Sequence, residues 1–304
     1  MRLNRLGRYS TLSRSSIRFH RFHTSKRICQ GYDPRIADLG RVIEDDFMRL
    51  RVHYKTPKNP IVLSHGLFGF DTLQLLPWSF IPPLQYWRGI NEALQANNCK
   101  VIVTAVPPSA SIERRAEALA RSIEQRAGGQ SVNIVGHRFK VLSLTTISSP
   151  HQGSPFADYV IQFVGEKRLP KLYRVLEKMG LETGAFQQLT TDFMQNKFNP
   201  MTPDIEGVKY FSYGALAYPG LLSPFRTSHR IIQRVDGDND GLVSIKSASH
   251  GVYKGTLIGP SHLDIINWTN RLKWIIKGIL GQQNKFNAIA FYLALSDMLA
   301  EEGL

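Results

Sequence analysis

An α/β fold, with a mostly parallel sheet covered by helices on both faces, is predicted by three features of the sequence. Short apolar runs at 61–64 (Ile-Val-Leu-Ser), 100–105 (Lys-Val-Ile-Val-Thr-Ala) and 132–136 (Val-Asn-Ile-Val-Gly) have the length and continuity of strands buried on both faces. Helical patterns at 86–97 and 111–127 separate them, and strands alternating with helices at this spacing pair in parallel. The third feature is size: 304 residues, 42% of them hydrophobic, suffice for one large core.

The first of these strands follows a polar stretch ending in Lys55-Thr-Pro-Lys-Asn-Pro60 and closes on His65-Gly66, where a loop begins. The helix at 111–127 takes Ser111 as its cap, puts Arg114, Glu117 and Arg121 on its wet side and stops at Gly128-Gly129. The β-branched run Val141-Leu-Ser-Leu-Thr-Thr-Ile147 supplies the next strand. Residues 154–205 read as mostly helical, with breaks at Leu169-Pro170 and Asn199-Pro200, and an insertion of this size can cap a pocket. A further strand is expected at 208–212, a tight polar loop at 236–241, and closing helices at 268–280 and 286–299. With no repeat visible, the economical division is a leader at 1–32, a linker at 33–56 and a single domain at 57–304.

Charge is concentrated at the start. Arg2, Arg5, Arg8, Arg14, Arg18, Arg21, Lys26 and Arg27 precede the first acidic residue, Asp33, and supply +8 of the formal +14. An Arg-rich, Ser-rich, acid-free segment with Leu3, Leu6 and Leu12 near one helical face has the form of a mitochondrial transit peptide. The remainder is only mildly basic, which removes the main support for nucleic-acid binding. Cys29 and Cys99 form no disulfide framework and no metal-ligand spacing, and no window of 18 residues is apolar enough to span a bilayer.

Two constellations carry chemistry. Val62-Leu-Ser-His65-Gly66-Leu67-Phe68-Gly69 places His-Gly just past the first buried strand, where backbone N–H groups can meet a developing oxyanion. Asp240, in Asn239-Asp-Gly-Leu-Val243, and His262, in Ser261-His-Leu-Asp264, follow in the order acid then histidine, so that a carboxylate could orient an imidazole base. The run Asp236-Gly-Asp238-Asn-Asp240-Gly241 also begins like a calcium loop, but its twelfth position is Ser247 where a bidentate Glu is needed. Asp264 reads as a loop-orienting residue.

These blocks, together with Ser111-Ile-Glu-Arg-Arg-Ala116, Leu144-Thr-Thr-Ile-Ser-Ser-Pro-His-Gln-Gly-Ser154, Tyr210-Phe-Ser-Tyr-Gly214 and His262-Leu-Asp-Ile-Ile-Asn-Trp268, resemble fungal mitochondrial triacylglycerol lipases from about residue 57 onward. The resemblance implies an α/β-hydrolase fold in which 154–205 form a lid-like insertion. It also implies hydrolysis of acylglycerols or other fatty-acyl esters with no cofactor or metal, at a peripheral membrane or lipid-droplet surface. Asp240 would be the triad acid, His262 the base, and His65, Gly66 and Leu67 the oxyanion loop.

One segment departs from that pattern. In such lipases the strand at 132–136 runs into G-H-S-x-G-G, whose Ser is the nucleophile on a sharp strand-to-helix turn. Here Gly136-His137 is followed by Arg138-Phe139-Lys140 and then by the next strand, so both the serine and the crossover helix are missing. Parallel neighbours ordinarily need a crossover of a dozen or more residues, which leads to the expectation that 141–147 pairs antiparallel or that one strand leaves its place. A marginal fold is expected from the uncovered sheet face. Ser148, Ser149 and Ser154, including the neighbours Ser149-Pro-His151, read as a loop at a strand end. Two readings of function follow: an ester hydrolase whose elbow was lost by splicing or a misplaced coding boundary, and a pseudo-lipase that binds acyl chains or a partner.

Overall fold

The computed structural model describes residues 42–43, 46–66, 72–73, 84–135, 141–164, 184–220, 223–267 and 286–304. The chain divides into Met1–Tyr32 and Asp33–Leu304, and all described residues belong to the second unit. The leader, the break at Leu169-Pro170 and the helix expected at 268–280 lie outside them, as do Leu67 and residues 136–140.

Nine strands occur among the described residues: β1 (Val42–Ile43), β2 (Ile61–Ser64), β3 (Thr72–Leu73), β4 (Leu84–Gln85), β5 (Val101–Thr104), β6 (Val132–Val135), β7 (Val141–Ile147), β8 (Lys209–Leu216) and β9 (Val252–Ile258). Seven form one sheet in the order β1-β9-β8-β7-β6-β2-β5, every pairing in it is parallel, and β3 pairs with β4 in a separate antiparallel pair. The principal described helices are α1 (Ile90–Ala96), α2 (Ile112–Ala127), α3 (Pro155–Val164), α4 (Gly184–Gln188), α5 (Arg226–Val235), α6 (Ile245–Ala248), α7 (His262–Ile265) and α8 (Ala288–Glu301). β9 and α5 went unmarked in the sequence, whereas α2 starts and stops as expected: Ser111 Oγ accepts from Arg114 N, and Gly128 ends the helix at φ 56°.

Side-chain alternation in β2 explains the layering. Ile61 and Leu63 point into one apolar cluster with Ile90 and Leu94 of α1 and Phe291, Leu295 and Leu299 of α8. Val62 joins the opposite cluster with Leu119, Ile123 and Ala127 of α2 and with Val132 and Ile134 of β6. The second cluster is the smaller. Val141 and Leu144 of β7 pack against it only half-buried, although β7 lies in the middle of the sheet.

The structure corrects the expected pairing of 141–147. β7 lies beside β6 and parallel to it, with Val132 opposite Val141 and a register shift before Asn133 and Ser143. The crossover rule assumes a return along a full strand with a helix on the way. Here the return covers three residues of strand, about 10 Å, while six peptide steps from Val135 to Val141 reach at most about 20 Å. The chain can therefore close the parallel pairing without a helix. At the β6–β7 interface Ser143 Oγ donates to Asn133 Oδ1 at 2.9 Å, and among the described residues the buried Asn133 Nδ2 has no hydrogen-bond partner.

A second correction concerns Asn199-Pro200, where a break was expected. Helical turns run on from Thr191–Phe193 through a wide π turn at Met194–Phe198 to Asn199–Met201. Pro200 stands just after the π turn, at the start of the last short segment. This run is seated on Gly153, whose φ is +83° and whose added Cβ would lie 2.5 Å from Thr191 Cα. Gly153→Ala is expected to lower stability by about 2–4 kcal/mol, read as a lower urea midpoint with an unchanged slope.

Candidate active site

The chemistry-bearing residues gather at the carboxyl ends of the parallel strands, where an open α/β sheet binds its ligands. His65 and Gly66 follow β2 directly. His65 is buried, and its Nε2 accepts from Val106 N at 3.3 Å, which leaves the proton on Nδ1 to donate to Gly66 O at 3.0 Å. Arg115 of α2 fastens the same loop: Nη2 donates to His65 O at 2.8 Å, and Nη1 donates to Pro107 O and Pro108 O at 2.9 and 3.2 Å. The sequence did not single out Arg115, because helical periodicity alone could not show that it faces a site. Arg115→Ala strands carbonyls that its guanidinium satisfies. We expect a loss of about 1.5–3 kcal/mol in urea unfolding and weaker ester turnover from a loosened loop.

Asp240 and His262 come together as the sequence implied. The Asp236 loop is built by its own side chains: Asn239 Oδ1 accepts from Gly241 N, Asn239 Nδ2 donates to Gly237 O and His229 O, and Ser244 Oγ donates to Asp236 Oδ2. That lattice holds Asp240 fully buried, with Oδ1 accepting from Leu242 N and Val243 N at 2.9 and 2.8 Å. Its other oxygen accepts from His262 Nδ1 at 2.7 Å. His262 begins α7, just past β9, and its side chain stays 32% exposed. Burial opposes a charged imidazole, but the Asp240 carboxylate outweighs it through charge and the hydrogen bond, so His262 titrates above an ordinary histidine. With the proton fixed on Nδ1, Nε2 keeps its lone pair, and among the described residues no hydrogen bond engages it.

Asp264 closes a capping box, its Oδ2 accepting from Ser261 N and Ser261 Oγ, which fixes the start of α7 rather than binding an ion. Among the described residues no group of three acidic, His or Cys side chains is placed to hold a metal. The pair Ser149 and His151 is not a nucleophile and its base: His151 Nε2 meets Thr146 Oγ1 at 2.9 Å, and its ring stacks on His250. Ser154 Oγ donates to Leu242 O at 3.0 Å.

His65, Gly66, Arg115 and His262 line one cavity of about 500 Å³, whose apolar wall includes Ile112, Leu119, Phe156, Phe186, Leu189 and Leu242. This volume and lining suit a small-molecule site with a long apolar part and a few polar groups.

A parallel sheet with helices on both faces, a post-strand His-Gly loop and an Asp–His pair at the mouth of an apolar cavity define an α/β-hydrolase of the ester-cleaving kind. Solved structures agree on the fold: Staphylococcus hyicus lipase superposes with a TM-score of 0.59 at 17% identity, covering 83% of this chain and 98% of its own. A metagenomic carboxyl esterase superposes at 0.60 and 17%, covering 84% and 79%. The chain belongs to the triacylglycerol lipase family. It is 36% identical to triacylglycerol lipase 2 of Saccharomyces cerevisiae, covering 85% of this chain and 96% of the yeast protein, and 28% identical to a triacylglycerol lipase of Vibrio cholerae, covering 83% and 90%. The yeast match extends over 321 positions, more than the 304 residues of this chain, so the relative carries residues that this chain lacks. No protein-family model matches the chain.

Proposed function

We propose that the cavity is a fatty-acyl ester site, with acylglycerols among its substrates, and that His262, oriented by Asp240, takes the proton of the attacking hydroxyl. The observation that carries this reading is the 2.7 Å bond between His262 Nδ1 and the fully buried Asp240, on the wall of an apolar cavity of acyl-chain size. The loop that begins at His65 and Gly66 and continues to Leu67 would offer backbone donors to the oxyanion. A second reading, acyl binding without turnover, is favoured by one fact: Arg138-Phe139-Lys140 stands where the family serine and its helix belong.

A fluorescent ether analogue of a monoacylglycerol, titrated into the purified chain while fatty-acid release is followed on the matching ester, tests both. Saturable binding with acid release supports hydrolysis, and saturable binding without it leaves the non-catalytic reading. Absence of saturable binding overturns the acyl site itself.

The basic, acid-free residues 1–32 support a mitochondrial destination for the protein. A reporter fused to them is expected to become protease-protected in isolated mitochondria, and one left outside overturns the assignment. Contact with a membrane or lipid droplet is peripheral in this reading. Among the described residues no helix is long and apolar enough to cross a bilayer.

A further inference from the structure

We infer that the cavity retains free long-chain fatty acid as its anion, with the Arg115 guanidinium holding the carboxylate and the chain lying along the apolar wall, an inference that rests on the cavity being an acyl site. α2 meets the cavity along one stripe, Ile112, Arg115, Ala116 and Leu119, at the i, i+3, i+4 and i+7 spacing of a single helical face. Arg115 is the charged member of that stripe and is half-buried, whereas Arg114, Glu117 and Arg121 of the same helix are exposed.

Two observations leave this cation available to a ligand. The first is its hydrogen bonding. Its bonds to His65 O, Pro107 O and Pro108 O occupy at most three of the five guanidinium N–H groups, and among the described residues no group accepts from the other two. The second is its charge. Burial pushes the Arg115 pKa down, and the neighbour that favours the charged form is the Tyr86 phenol rather than a carboxylate. Among the described residues that line the cavity none is acidic, and the buried Asp240 turns its free oxygen to His262.

A guanidinium remains charged at any physiological pH. Here it is a positive charge on an apolar wall without a counter-charge, an arrangement that costs stability until an anion enters. A carboxylate supplies the charge and accepts charge-assisted hydrogen bonds from the spare donors. Arg115 Nη2 donates to His65 O at 2.8 Å, so a carboxylate held by the same guanidinium lies near the His65-Gly66 loop and leaves the chain to Ile112, Leu119, Phe156, Phe186 and Leu189. If the chain hydrolyses esters, the retained acid is a product that competes with substrate; if it does not, the acid is the ligand it carries.

Displacement of the fluorescent ether analogue from the purified full chain by oleate and by oleyl alcohol, each below its aggregation concentration, tests this. The competitors share a chain length and differ in the head. Oleate should bind the parent at least about tenfold more tightly than the alcohol, whereas a pocket without a usable cation would favour the alcohol, because an unpaired carboxylate is costly to bury. Arg115→Gln should weaken oleate about 10–100-fold and leave the alcohol and the ether analogue within a few-fold of the parent, which also shows that the variant is folded. Equal affinities for acid and alcohol in the parent, or equal losses of both in Arg115→Gln, overturn the anchor and leave the acyl site standing. A selective loss of oleate in His262→Ala but not in Arg115→Gln does the same, assigning the carboxylate to the imidazole. Lysophosphatidate that displaces the analogue more tightly than oleate assigns the cation to a phosphate and overturns the carboxylate. No saturable binding of the ether analogue to the parent overturns the acyl site, and this inference with it.

Discussion

His262→Ala should lower turnover of a soluble fatty-acyl ester by about 10³–10⁴-fold while leaving binding of the ether analogue within a few-fold of the parent. The asymmetry follows from the geometry. The imidazole is one polar point on a largely apolar cavity, so it contributes little to holding the acyl chain, but no other described side chain on the cavity wall is paired to a buried carboxylate. The pH profile supplies a second readout. The neutral imidazole is the active form, and because Asp240 raises the His262 pKa despite burial, turnover should rise with pH through an inflection above the ordinary histidine value of about 6.5. Asp240→Asn removes the carboxylate and leaves burial unopposed, so any residual activity should titrate at lower pH than in the parent. Stability runs the other way. A group whose folded pKa is raised contributes stability that is fully present below its unfolded pKa and lost as pH rises through its folded pKa. Across that window the parent should lose a component of Tm that His262→Ala lacks. An inflection at or below the ordinary value, or a profile that Asp240→Asn leaves in place, would sink the base assignment.

The sequence made some of this legible and concealed the rest, for identifiable reasons. β2, β5, β6 and β7 announced themselves because β-branched runs bounded by Gly or Pro have few other uses. β9 did not, since Lys254 and Gly255 interrupt it; in the fold Lys254 escapes burial by laying its ammonium over the Phe211 ring and reaching Glu302. Asp240 and His262 could be named from chain order and local text. Arg115 could not, because its role depends on which carbonyls the loops bring to it, and the left-handed backbone at Ser148 leaves no mark in a Ser-Ser-Pro sequence. The pairing of β7 was misjudged by applying a rule for whole strands to a return of three residues.

That short return sets up the second large effect. Replacing residues 136–140 with a segment built on the G-H-S-x-G-G pattern and a following helix should put a serine on a strand-to-helix turn and a helix over β7. Val141 and Leu144, half-buried in the centre of the sheet, are the apolar residues placed to receive it. Burying on the order of 100–200 Å² of further apolar surface is worth about 3–5 kcal/mol, or a Tm rise of roughly 5–15 °C for a domain of this size. Ester turnover should rise at least about a thousandfold over the parent if, as proposed, His262 oriented by Asp240 serves a serine at the end of β6. Arg138→Ser alone should reproduce none of this, since the five residues 136–140 are too few for both a nucleophile turn and the helix that follows it. A chimera no more stable than the parent would mean that the central strand never needed its cover. An Arg138→Ser protein with the chimera's activity would mean that the helix is dispensable to the chemistry.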